Sequence, residues 1–239
     1  TGTQNFNNTL TASGATFNFG SSTVNVANTL SISAGAFTST SGNLNLSGGL
    51  LVSGSPTFTH NSGTVRFLAT QSITPSSIVF NNVTVQGTNA TFTLVGTMAV
   101  SGNLILGDTA TGNINGGTIA VDGNVTYNNS GYVGTAFMIF GGSTSSTLST
   151  STTNILRGNV TVNKLAGASL TLGSIINLNG TGQTLEVLEG SILMSGRNLT
   201  VQSDLLLSPG TTVNRGGAVL TANGSTINAG TCCGGGNVL

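Results

Sequence analysis

Apolar and polar residues alternate along this chain in short bursts of four or five, and the bursts share one wording. A turn residue is followed by Asn, an aliphatic residue, a polar one and an apolar one. Gly42-Asn43-Leu44-Asn45-Leu46, Asn81-Asn82-Val83-Thr84-Val85, Gly102-Asn103-Leu104-Ile105-Leu106 and Gly123-Asn124-Val125-Thr126-Tyr127 carry it. So do Gly158-Asn159-Val160-Thr161-Val162 and Arg197-Asn198-Leu199-Thr200-Val201, with looser copies at Asn28-Thr29-Leu30 and Asn8-Thr9-Leu10. Alternation of this kind has a period of two and predicts strands with one buried face. Apolar residues at three-four spacing, the mark of an amphipathic helix, are missing. The fold class expected is all-β.

The leading Asn residues at 8, 28, 43, 82, 103, 124, 159 and 198 are separated by 20, 15, 39, 21, 21, 35 and 39 residues, mostly one or two steps of about twenty. A fixed period of that size predicts a parallel β-solenoid, or β-helix, with coils of about 20 residues. About twelve coils at ~4.8 Å each make a rod on the order of 55–60 Å long. Residues 1–239 then form a single domain. Asn28, Asn43, Asn82, Asn103, Asn124, Asn159 and Asn198 are its structural repeat, expected at one corner of every coil, where Asn tolerates left-handed backbone and its amide pairs with the amide above. The 35-residue gap predicts a loop or bulge interrupting the repeat near 133–154. Phe137, Met138 and Phe140 in that stretch are either core or an interface patch for another subunit.

Composition narrows the function. Charged residues make up 4% of the chain, with five basic and five acidic side chains and no net charge, against roughly 25% charged in ordinary globular proteins. Arg66, Arg157, Lys164, Arg197 and Arg215 are scattered, so a phosphate-binding surface is not expected, and no apolar run approaches the ~20 residues of a spanning helix. At 37% hydrophobic the chain is too apolar for disorder. It begins at Thr1 without a charged-then-apolar leader, which reads as a mature secreted product or an excised segment. The two cysteines, Cys232 and Cys233, are adjacent and fit no zinc or redox spacing. They leave three readings: a surface pair, a vicinal disulfide, or a bond between subunits in an oxidising compartment.

Chemistry is sparse. The acids are Asp108, Asp122, Glu186, Glu189 and Asp204, and His60 is the lone histidine. Glu186 and Glu189 fall on opposite strand faces unless a turn intervenes, and Asp108 and Asp122 are less than one coil apart, so no paired carboxylates of a glycosidase are implied. Lys164 would need a buried acidic partner for an isopeptide bond. The Gly-Gly pairs lack the Asp of calcium-binding nonapeptides. Thr9/Thr11, Thr57/Thr59 and Thr91/Thr93 have the Thr-x-Thr form of ice-binding faces, but their spacing does not follow the coil. Carbohydrate binding lacks its stacking platforms, since Trp is absent and aromatics total 5%. No catalysis, cofactor or metal is expected.

The segment Gly63-Thr64-Val65-Arg66-Phe67, Gln71-Ser72-Ile73 and Val79-Phe80-Asn81-Asn82-Val83-Thr84-Val85 resembles the strand repeats of large secreted bacterial surface proteins, the filamentous adhesins and autotransporter passenger domains. That resemblance implies a β-solenoid displayed at the cell surface and carries over no catalytic residue. Neither Thr1–Leu10 nor the glycine-rich Gly230–Leu239 reads as a capping element. The expected function is therefore a structural subunit of an extracellular filament or surface fibre, whose partner is itself, joined head to tail. The alternatives are a stalk segment of a larger adhesin and, further off, an ice- or carbohydrate-binding solenoid; a carbohydrate or a host surface is the further partner left open. Nucleic acid and membrane insertion are not expected.

Overall fold

In the computed structural model the chain is a three-sided parallel β-solenoid with coils of about 21 residues, with no helix among the described residues. The structure describes residues 2–107, 112–128, 132–152, 155–165 and 167–232. The first face stacks twelve parallel strands, from Thr3–Phe6 to Thr231–Cys232. The third stacks eight, from Val79–Phe80 to Thr226–Asn228. The second face is an eight-stranded sheet in the lower turns and a three-stranded one, Ile176–Leu178, Leu199–Val201 and Leu220–Ala222, in the upper.

The alternation seen in the sequence sorts inside from outside. In strand Leu104–Leu106 the two leucines are buried and Ile105 points out, and Val83 and Leu106 sit in unbroken inward columns of the first face. Residues one turn apart on the first face are in register at offsets from 18, as in Val65↔Val83, to 24, as in Leu148↔Leu172. Aliphatic residues that stack on their own kind lose apolar surface on every side, at roughly 25 cal/mol per Å². In the first turns phenylalanine does this work on the third side. Phe17, Phe37, Phe58 and Phe80 stack one per turn with ring centroids 6.1, 5.7 and 5.8 Å apart. Strands Leu10–Asn18 and Thr29–Thr38 reach that side by bending at Gly14 and Gly35, whose φ values of 134° and 81° favour glycine.

The expected interruption near 133–154 is not found in its described part. Phe137–Phe140 and Ser146–Thr150 are ordinary rungs of the third and first faces. The repeat slips for another reason. The Asn124 phrase opens a first-face strand, whereas the Asn159 phrase opens a third-face one and the Asn198 phrase a second-face one. The wording belongs to strand entry on any face, so its spacing jumps by part of a coil whenever it changes face.

Candidate functional site

The repeat Asn residues sit at strand entries, yet they act differently from the expectation. Their backbone is not left-handed: of the asparagines, only Asn61 and Asn89 have positive φ among the described residues. Nor do their amides pair with one another. Asn82 Oδ1 accepts from the backbone N–H of Asn103 at 2.9 Å, Asn103 Oδ1 from that of Asn124 at 3.0 Å, and Asn124 Oδ1 from that of Thr147 at 2.9 Å. Asn159 and Asn198 do the same for Thr184 and Val219, at 3.1 and 3.0 Å, and Asp204 does it for Ser225 at 2.8 Å. Each side chain thus caps the first N–H of the coil above, at a corner where the ladder has no carbonyl to offer. Asn28 instead donates its amide to the Asn7 carbonyl at 3.4 Å, and Asn43 lies in register with Thr64. The glycine ahead of the Asn has a packing cause. A Cβ on Gly102 would lie 2.6 Å from Asn82 Oδ1 and 2.8 Å from the Asn81 carbonyl oxygen.

An amide-to-amide ladder does exist, at outward mid-strand positions of the first face. Asn25 donates to Asn5 and Asn45 to Asn25, both at 2.7 Å. Only Asn45 of these belongs to the repeated phrase.

This capping gives a prediction. Asn103→Ala leaves the Asn124 N–H to water and should cost about 1 kcal/mol, the usual net value of such a bond. Asn103→Asp keeps the acceptor and should melt close to wild type at neutral pH. Thermal denaturation followed by circular dichroism separates the two, and equal melting of all three proteins would remove the capping role.

The three residues of the expected interface patch part company. Met138 and Phe140 are buried core, and Phe137 points outward, 51% exposed. Cys232 is disulfide-bonded and lies at the end of the inward column Ile192, Val213, Cys232. Cys233 and Asp108 lie outside the described residues.

Chemistry does not converge. Among the described residues no three His, Cys, Asp or Glu side chains are grouped as a metal site would need. His60 closes a corner turn, its Nδ1 accepting from the Ser62 N–H at 3.0 Å. Glu186 faces outward, and a register shift after Val187 brings Glu189 opposite Asn163. A surface groove of about 420 Å³ runs past Leu188, Glu189, Ser191, Pro209 and Thr211 with one carboxylate in it. The Thr-x-Thr pairs do not stack into a face: Thr91 and Thr93 lie under Asn113 and Asn115, and Thr57 and Thr59 lie over Ala36 and Thr38.

Three buried polar side chains were not singled out as structural by their sequence. Tyr127 and Gln183 bracket the turn through Ile155 and Leu156, which fills the second side without a described strand. The Tyr127 hydroxyl accepts from the Leu156 N–H at 3.5 Å, while Gln183 donates to the Leu156 and Gly158 carbonyls at 2.7 and 2.6 Å. Burial pushes the Tyr127 phenol well above its ordinary range, with the Leu156 bond opposing. Lys164 has no solvent exposure and spans two turns to place Nζ 2.8 Å from the Asp122 carbonyl oxygen. Glycines at 141 and 142 occupy the coil between them, with Asp122 atoms close to where their Cβ atoms would be. An apolar phrase carries no sign of which partner lies one or two coils away.

The fold and these features place the chain in the class of β-solenoid repeat proteins. No family model, curated protein or solved structure matches it.

Proposed function

We propose that the chain is a structural segment of an extracellular filament or surface fibre, a stiff rod joined end to end with further solenoid. The observation that carries this reading is the unbroken parallel ladder of twelve strands over a continuous aliphatic interior. Each rung is held by main-chain bonds to the rungs on both sides, and bending the rod breaks many of them together. The strand that best satisfies the open edge of such a ladder is another strand of the same period, which favours a solenoid as the axial neighbour. The outward Asn, Thr and Ser columns, with 4% charged residues in the chain, support a coat that changes little with pH or salt.

Electron microscopy of the purified chain at rising concentration, with and without reductant, tests this. Twelve rungs at ~4.8 Å span about 53 Å. Filaments many times that length are the expected result, and their loss under reductant would bring Cys232 into the joint. Separate rods of about 53 Å at every concentration would refute self-joining and make the chain a stalk segment of a larger adhesin.

A further inference from the structure

We infer that the outer surface of the third face is a lateral contact through which two copies of this rod lie side by side. The three sides of the solenoid do not carry the same outward residues. On the first face one outward column reads Asn5, Asn25, Asn45, Arg66, Thr84, Ile105, Thr126, polar in all but one place. On the third face the corresponding column reads Val79, Ala99, Ala120, Ile139, Thr161, Glu186, Leu206, Ile227. Val79 and Ile227, its first and last rungs, are 44% and 62% exposed, Ala99, Ala120, Ile139 and Leu206 between them are partly exposed, and the second outward column adds Phe137 beside Thr97 and Thr118. Alternation here no longer separates apolar from polar; it separates apolar inside from apolar outside.

The surface selects its occupant. Alanines at 99 and 120 keep the second and third rungs of the strip flat, which suits another sheet packed ~10 Å away more than a side chain entering a pocket. A second copy presents ridges with the same ~4.8 Å repeat, so side chains interdigitate without strain along the whole strip, as in paired sheets of one sequence. Glu186 is the one charged residue of the column, and from Val79 to Thr161 nothing in it resists an uncharged partner. Size sets the strength. Eight rungs long and two columns wide, the strip covers roughly 400 Å², about half of the ~800 Å² per partner of a stable complex. One pair of rods therefore associates weakly and reversibly, and rods aligned in a fibre add such contacts along their length.

The inference is independent of end-to-end joining, because the two change different dimensions. Small-angle X-ray scattering of the full chain from about 10 µM to about 1 mM reads both: lateral pairing thickens the cross-section, and axial joining lengthens the particle. The wild type should thicken toward two rods. Ala120→Lys, and separately Ala99→Lys, should shift that transition to at least tenfold higher concentration, while Thr126→Lys on the first face leaves it in place. A one-rod cross-section up to 1 mM, or equal thickening in all three variants with circular dichroism intact, would overturn the contact.

Discussion

Leu104→Asp should abolish the folded rod, while Ile105→Asp, one residue further along the same strand, should leave it standing. Leu104 has no exposed surface and is stacked in register between Val83 and Val125. A carboxylate there would be desolvated with apolar neighbours above and below, and an unpaired buried charge costs far more than one contact is worth. The expected loss exceeds about 5 kcal/mol, in the range where single substitutions unfold marginal proteins. Because a solenoid is held by nearest-neighbour interfaces, the break should separate the turns below Leu104 from those above, and limited proteolysis should cut near it first. Ile105 points outward between Thr84 and Thr126, so an aspartate there meets water and should change stability by less than about 1 kcal/mol. Far-UV circular dichroism against temperature decides. Similar melting of the two variants would contradict the inward and outward assignment of the strand.

The reason that pair of substitutions can be named from one strand is also the reason the fold was legible. Leu104-Ile105-Leu106 shows the inward positions within three residues, and the same alternation recurs at nearly every rung, so period two and a repeat near twenty together define a parallel stack. What the alternation does not encode is which side of the solenoid a strand occupies. Gly102-Asn103-Leu104 and Gly158-Asn159-Val160 look alike, yet they open strands on different faces, and the apparent interruption between Asn124 and Asn159 is that change of face. The same blindness hid the outer strip: Thr118-Ile119-Ala120-Val121 reads as one more rung until Ala99 and Ile139 are placed below and above Ala120. Phe137-Met138-Ile139-Phe140 is apolar at every position, and its division into core and surface needs the register. Tyr127, Gln183 and Lys164 act on coils one or two turns away, and nothing near them in the chain announces the partner.

Lys164 supplies the other large effect, and its sign depends on what replaces it. The side chain contributes a long apolar stem threaded past the coil of Gly141 and Gly142, and an amine that gives the Asp122 carbonyl its bond. Lys164→Ala removes both and leaves a cavity, and should cost about 3 kcal/mol, as large-to-small core changes do. Lys164→Met keeps the stem and removes the charge. Desolvation lowers the pKa of this amine from its ordinary 10.5, with the Asp122 charge pulling the other way, so the buried cation is a cost that methionine avoids. Lys164→Met should therefore melt no lower than wild type at neutral pH, the removed desolvation cost outweighing the bond lost at the Asp122 carbonyl. The pH profile separates stem from charge. Between the lowered pKa and 10.5 the unfolded chain holds a proton that the folded chain has released, so wild-type stability rises with pH across that window. Tyr127 works in the opposite sense: its phenol stays protonated in the fold while the unfolded chain ionises near pH 10, so stability falls above about pH 10. Wild type should show a maximum near that pH in a series of thermal midpoints. Lys164→Met should lose the rising limb and Tyr127→Phe the falling one. A rising limb that survives Lys164→Met would mean that the amine is not the group whose burial the rod sustains.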